Sequence, residues 1–388
     1  MPESKRLVEL VQSRIDEFLM SREPIVTLIS PDLTPLIDFS RQFLSGGKRF
    51  RAQFCYWGAR SVRVADSGTE PIRSATEPPP AEKKNRAAAS TAPVPLAAVV
   101  SAASALEIFH AAALVHDDII DNSDTRRGAP SAHKLFESLH EKEEWSGGPA
   151  SFGRASAILL GDLLLGWSDE LLDEALDAVV DRDSARRARL EFNHMRTEVT
   201  AGQYLDILEE RAWLAQPEAQ LLDRAFRVIV FKSAKYSVQA PLVIGAALAG
   251  ASPAQLSSLR AFGLPLGMAY QLRDDLLGVF GDAAVTGKPS GDDLTEGKRT
   301  VLIALARERL DDAARRSLDA QLGDPTLDQA QIRALQALIT GSGAVERVET
   351  LIAAQVVEAL AALKTAPITG TAQQTLRGLT DRVTRRAY

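Results

Sequence analysis

An all-α fold is predicted for this 388-residue chain by three observations. Apolar residues recur at helical spacing in almost every long segment, beginning with Val8, Val11, Ile15 and Leu19. Alternating runs bounded by tight turns, the mark of strands and hairpins, are scarce. Alanine and leucine, both good helix formers, are abundant throughout. Together they predict about a dozen helices of roughly 8–20 residues, forming one large bundle around a central cavity.

In chain order, MPESKRLVELVQSRIDEF is charged and periodic and lacks the apolar core of a signal peptide, so it reads as a first helix. In SGGKRFR, Ser45–Arg51, two glycines let the backbone turn sharply. Lys48, Arg49 and Arg51 follow as a cluster of cations. They form either a phosphate anchor or the solvated basic start of a helix, and the P-loop spacing is absent. Residues 64–95 contain Pro78, Pro79 and Pro80 and no apolar pattern. They read as a flexible surface insertion that buries too little to offset its chain entropy. Long helices are predicted over 96–122, 155–180, 184–212, 221–249 with a kink at Pro241, and 253–280. The stretch 141–153, with Ser146, Gly147, Gly148 and Pro149, reads as a loop.

Composition narrows the function classes. The 45 Lys and Arg against 51 Asp and Glu leave a charge of −6, which argues against broad nucleic-acid binding. No uninterrupted run of about 18 apolar residues is present, so no membrane span is expected. The lone cysteine, Cys55, excludes a disulfide framework and a Cys-based zinc site. It fits a reducing compartment, and the cytoplasm is the expected location.

Two aspartate clusters carry the chemistry. In HDDIIDNSDTRRG, Asp117, Asp121 and Asp124 are spaced to share one helix face. Like charges at that spacing repel, so cations are expected to fill the gap. Hard oxygen ligands one turn apart suit Mg²⁺. Arg126 and Arg127 follow, and guanidinium forks match phosphate. In YQLRDDLLGVFGD, Asp274 and Asp275 again emerge from an apolar helical run, with Lys288, Asp293, Lys298 and Arg299 behind them. Either cluster alone equally fits a solvated helix end. Two of matching design point to a metal–diphosphate site shared across one cavity. His110 lies seven residues before Asp117, GQYLD ends at Asp206, and FKSAKY places Lys232 and Ser233 in an apolar helix, where a buried lysine needs an anion.

These residues resemble the trans-polyprenyl diphosphate synthases, the isoprenoid chain-elongating prenyltransferases. GGKRFR, DDIIDNSDTRRG, GQYLD, FKSAKY, YQLRDD and GKPSGDDLTEGKRT occur in that family's order over roughly 43–305, most of the chain. The wording LVHDDIIDNSDTRRGAP and ILLGDLLLGWSDELL looks most like bacterial geranylgeranyl-type enzymes. The resemblance implies one catalytic domain over 1–388 with the isoprenoid synthase type I fold, acting as a homodimer. It implies Mg²⁺ as cofactor, three ions with substrate bound, held by Asp117 and Asp121 on one wall and Asp274 on the other. Asp118, Asp275, Arg126 and Lys232 complete the implied catalytic set. Arg126, Lys232, Ser233, Gln271, Lys288 and Lys298 would surround the allylic diphosphate. Lys48, Arg51, His110 and Arg127 would hold isopentenyl diphosphate. Ala112 and Ala113 would leave room for a growing tail above a floor at Phe109, and Ala112→Phe is expected to shorten the product.

The sequence departs from the family pattern at Ala52, where proline is common, and at Ser233, where threonine is common. Gly278 stands where some relatives have a third aspartate, leaving Asp274 as the main ligand on that wall. The 64–95 insertion is not a family hallmark. The expected reaction is head-to-tail condensation giving a linear trans-polyprenyl diphosphate, with geranylgeranyl diphosphate as main product. Farnesyl or longer products are the nearest alternatives. A class I terpene cyclase would need a Ser/Thr and a Glu after its second acidic motif, which DLLGVFGD lacks. A non-catalytic partner subunit would usually have lost an aspartate cluster.

Overall fold

The computed structural model describes residues 3–62, 93–126, 128–282 and 289–384. Sixteen α-helices lie among them, more than the dozen expected. They are α1 (Glu3–Ile29), α2 (Thr34–Phe43), α3 (Phe50–Ser61), α4 (Leu96–Ile120), α5 (Ala132–Lys142), α6 (Pro149–Asp177), α7 (Arg182–Ala212) and α8 (Glu218–Val228). After a π-helical segment, Ile229–Gln239, come α9 (Ala240–Leu248), α10 (Pro253–Phe280), α11 (Asp292–Glu296), α12 (Val301–Arg307), α13 (Asp312–Gln321), α14 (Gln329–Gly341), α15 (Ala344–Thr365) and α16 (Gly370–Thr384). Among the described residues the only sheet is a two-residue ladder, Thr125–Arg126 with Ala129–Pro130. Of the expected insertion, residues 64–92 lie outside the described residues, and Pro95 leads into α4 in an extended conformation.

Two boundaries differ from expectation for identifiable reasons. α6 starts at Pro149, so the loop expected over 141–153 shrinks to 143–148. Proline's fixed φ suits the first helical turn, where its missing N–H costs nothing. The helix expected over 221–249 is three pieces. Pro241 cannot donate to the turn before it, and there the chain changes from i→i+5 to α-helical bonding. In α1 the buried stripe runs through Leu7, Val11, Ile15 and Leu19, so Leu7 rather than Val8 supplies its first turn.

α4 is the central helix. It buries residues on nearly all sides, and Ala98, Ala102, Ala105 and Ala112 keep its neighbours close. It lies along α6, α3 and α1. Its stretch is long and apolar enough to cross a membrane by composition, yet 83% of that window is buried inside the protein. α10 joins two apolar clusters. Leu256, Leu259, Phe262 and Leu266 pack with α1, α3, α4, α6, α7 and α9. Ala269, Leu272, Leu276 and Val279 pack with α12, α14 and α15. The π segment is clamped between α7 and α10. A Cβ on Gly202 would fall 2.3 Å from Lys232 N, and one on Gly267 would fall 2.3 Å from Ala234 O.

Candidate active site

The first acidic cluster sits where α4 ends. Asp121 closes the helix by donating its N–H to Asp117 O at 2.8 Å, and Asn122 then turns left-handed with φ 53°. Asp117 and Asp121 therefore share a helix face, as the spacing predicts. Asp124 does not join them. It lies past the turn, its side chain is 70% exposed, and its carboxylate is 3.6 Å from His133 Nε2. Asp118 points the other way and is fully buried. Arg126 clamps it through Nε, at 2.8 Å, and Nη2, while Nη2 also lies 3.5 Å from Asp117 Oδ2. Asp118 and Arg126 thus fix the loop carried by the short ladder.

Two lysines close over this helix end. Lys232, on the π segment, donates to Asp117 Oδ1 at 3.1 Å and to Asp206 Oδ2 at 2.6 Å. Lys298, between α11 and α12, lies 2.7 Å from Asp121 Oδ1 and donates to Asp206 Oδ2 at 3.2 Å and to Glu210 Oε1 at 3.1 Å. Burial alone would raise Asp117, but Lys232, Arg126 and Lys298 outweigh it and hold the carboxyl well below the usual range. Burial and repulsion from Asp117 raise Asp121. Burial would lower both lysines, yet the surrounding carboxylates raise them and keep them charged.

The second acidic pair divides its exposure. Asp274 is exposed, whereas Asp275 is only 4% exposed and accepts from Gln271 Nε2 at 2.8 Å. Burial pushes the Asp275 carboxyl up to about 7, with Asp274 and Asp206 adding repulsion and Lys232 opposing it. Asp275 thus feels the charges of Asp206 and Lys232 from the first cluster. Gly278 is not simply a missing ligand. A Cβ there would fall 2.0 Å from Asp293 Oδ2, so the Asp293 carboxylate lies where a side chain at 278 would begin.

The basic loop divides its labour. Lys48 is exposed and its carbonyl accepts from Gln53 Nε2 at 2.6 Å. Arg49 is buried with φ 49° and pairs with Glu107 at 3.3 Å and Gln12 Oε1 at 2.6 Å. It is a structural brace. Arg51 reaches the other way and meets His110 at the buried Tyr236. Phe109, the expected floor, packs edge-on against Phe192 with centroids 5.9 Å apart. Ala112 is fully buried and Ala113 half-buried. Ser233 is half-buried on the π segment. Arg127 and Lys288 lie outside the described residues.

Glu210, Tyr236 and Asp293 were not assigned roles by the motifs, and Asp206 was noted only as the end of GQYLD. The signal for Asp206 and Glu210 was available: carboxylates four apart on one helix face repeat the logic of Asp117 and Asp121. Tyr236 was noted only as the end of FKSAKY.

The donor set fits a hard divalent cation bound together with substrate. No three acidic, histidine or cysteine side chains among the described residues come close enough to hold an ion alone. The ammonium groups of Lys232 and Lys298 stand between the carboxylates instead. Mg²⁺ characteristically takes one or two carboxylates and fills its shell with water and phosphate oxygens, which suits Asp117 and Asp121.

The all-α bundle carries carboxylates and lysines interleaved at one helix end, a centre suited to a polyanionic substrate. The polyprenyl synthetase family model matches residues 35–339, and the chain belongs to that family. It is a trans-polyprenyl diphosphate synthase. Among curated relatives, a geranylfarnesyl diphosphate synthase of Aeropyrum pernix is 30% identical over 66% of this chain and 72% of its own. A geranylgeranyl diphosphate synthase of Mycobacterium tuberculosis is 31% identical over 65% of this chain and 67% of its own. Among solved structures, a geranylgeranyl pyrophosphate synthase of Corynebacterium glutamicum, complexed with isoprenyl diphosphate and magnesium, is 36% identical. It covers 98% of this chain and 99% of its own, with TM-score 0.86.

Proposed function

We propose that this protein condenses isopentenyl diphosphate head-to-tail with allylic diphosphates in the presence of Mg²⁺, with geranylgeranyl diphosphate as its main product. The observation that carries the reading is the convergence of Lys232 and Lys298 on the carboxylates of Asp117, Asp121 and Asp206. Such a centre holds several positive charges in place before a polyanion arrives.

Lys232, Lys298, Gln271 and Ser233 orient the allylic diphosphate so that its carbon–oxygen bond can ionise. Mg²⁺, three ions with substrate bound, held by Asp117, Asp121 and Asp274, would neutralise charge growing on the leaving diphosphate. Lys288 and Arg126 complete the set of cations that the family resemblance assigns to the allylic diphosphate. Lys48, Arg51, His110 and Arg127 hold isopentenyl diphosphate with its double bond against the allylic carbon. That double bond attacks, and the proton lost afterwards goes to the departing diphosphate, so no side-chain base is required. Asp118 and Asp275, both buried, brace Arg126 and Gln271 respectively, beside the carboxylates of Asp117 and Asp274.

The twenty-carbon product is supported by the small residues Ala112 and Ala113 above Phe109, and by the Mycobacterium tuberculosis relative. A homodimer is supported by exposed Ile158 and Leu159 on α6 and Leu190 on α7. One catalytic domain over 1–388 is supported by α10, which packs into both apolar clusters. The single cysteine supports a cytoplasmic location.

The test incubates purified protein with isopentenyl diphosphate and five-, ten- or fifteen-carbon allylic diphosphates, with Mg²⁺ or EDTA. Products are dephosphorylated and sized by mass spectrometry. A Mg²⁺-dependent linear twenty-carbon alcohol is expected. A linear product of another length keeps the chemistry and moves the floor. A cyclic hydrocarbon, or no turnover, overturns the reading.

A further inference from the structure

We infer that Tyr236 is a positioning residue that sets Arg51 and His110 in the geometry to bind isopentenyl diphosphate. The inference rests on the proposed condensation, which assigns those two residues to that substrate.

Three elements meet at this side chain. Arg51 comes from the start of α3, His110 from the middle of α4, and Tyr236 from the π segment. The Arg51 guanidinium lies over the Tyr236 ring, 4.4 Å from its centroid. The Tyr236 hydroxyl is 3.0 Å from His110 Nδ1, in hydrogen-bond contact. Arg51 Nη2 donates to the neighbouring Ser237 Oγ at 2.8 Å. The ring itself is held edge-on by Phe109, with centroids 5.8 Å apart. Tyr236 is buried, so its rotamer is set by packing.

Arg51 has no carboxylate within ion-pair distance among the described residues, and its buried Nε has no hydrogen-bond partner there. Arg49, two residues earlier, also has a buried Nε without a hydrogen-bond partner, but its Nη groups are taken by Glu107, Gln12 and Leu44 and its charge is paired with the Glu107 carboxylate. The contrast is physical. A ring face and one hydroxyl hold Arg51 in place without neutralising it, so its charge stays available to an anion. A carboxylate at 236 would quench it, and an aliphatic residue would leave it unheld. The π segment makes this placement, because it carries Lys232 toward Asp117 and Tyr236 toward Arg51 from one continuous stretch.

The test compares wild type with Tyr236→Phe, which keeps the ring and removes the hydroxyl, and Tyr236→Leu, which removes both. Isopentenyl diphosphate binding is measured by calorimetry, and KM and kcat are measured for each substrate. The expected result for Tyr236→Phe is a Kd and KM for isopentenyl diphosphate raised about fivefold to tenfold, with the allylic KM and kcat within about twofold of wild type. Tyr236→Leu is expected to raise them further, by about another fivefold. Equal isopentenyl diphosphate affinity in wild type and both variants overturns the inference alone. So does an equal rise for both substrates, accompanied by a lower melting temperature, which is the mark of a purely structural role. Wild-type protein that binds no isopentenyl diphosphate overturns the inference and the proposed condensation together.

Discussion

Lys232 and Lys298 share one acceptor: both ammonium groups donate to Asp206 Oδ2, at 2.6 and 3.2 Å. Two cations held this close repel each other unless carboxylates surround them. Asp117, Asp121, Asp206 and Glu210 supply that surround. The result is a charged centre preorganised at the end of α4, in which protein carboxylates balance lysines that a diphosphate would otherwise have to gather.

Asp117→Ala and Asp274→Ala are each expected to lower kcat/KM by about a hundredfold or more while leaving the melting temperature within about 5 °C of wild type. Asp206 still pairs with Lys232 when Asp117 is gone, and Asp274 is exposed. Steady-state turnover in Mg²⁺ and circular-dichroism melts check both. Near-wild-type turnover in either variant would sink the assigned metal role.

Gly202→Ala probes the seat of Lys232. The new Cβ would fall 2.3 Å from Lys232 N and 2.5 Å from Phe231 C, both backbone atoms that no rotamer change can move. The π segment must shift away from α7. A stability loss of about 1–3 kcal/mol is expected from overpacking, with turnover down roughly a hundredfold from displacement of Lys232. Urea denaturation and turnover measure the two effects separately. Unchanged values for both would mean the helices separate freely.

The chain-length test moves one residue along α4. Ala112 has no exposed surface, so Ala112→Phe should cost about 1–3 kcal/mol of stability through overpacking. Ala113 is half-buried and has room on one side. Ala113→Phe is expected to shorten the product at little cost in stability. Mass spectrometry of the dephosphorylated products decides. An unchanged product from Ala113→Phe would place the floor on another helix.

Arg49→Ala should destabilise the fold by about 3–5 kcal/mol, because it leaves the buried Glu107 carboxylate without its cation. Adding Glu107→Leu should recover much of the loss. Chemical denaturation of the single and double variants checks this. Equal losses in both would show that the pair is not the cause.

Cys55 should resist alkylation. Burial pushes its thiol up from 9.0 to about 12, so it stays protonated near neutrality. Iodoacetamide at pH 8 should label unfolded but not native protein. The raised value also favours folding at low pH. The stability it contributes is complete below about pH 9 and is lost as pH rises from there toward about 12, because the unfolded thiol ionises first. Tyr56, raised by burial and by its bond to Glu3, acts in the same direction. Rapid labelling of native protein would contradict the burial.

The sequence by itself determined the helical fold, the order of its long helices and the residues that carry charge. Helical periodicity is local, so α4, α7 and α10 were legible within a few residues. So was the pairing of Asp117 with Asp121, which needs only one turn of helix. Tertiary structure decided where that turn stops and what faces it. Asn122 turns left-handed and removes Asp124 from the face, a choice made by how the chain leaves α4. Asp293 fills the space over Gly278 from a different helix. Asp206 becomes the shared acceptor of two lysines that stand 26 and 92 residues away in the chain. Tyr236 joins α3 to α4 only because a π-helical turn, clamped by Gly202 and Gly267, aims it there. Contacts between distant segments depend on how helices pack, and residue spacing within one segment carries no record of that packing.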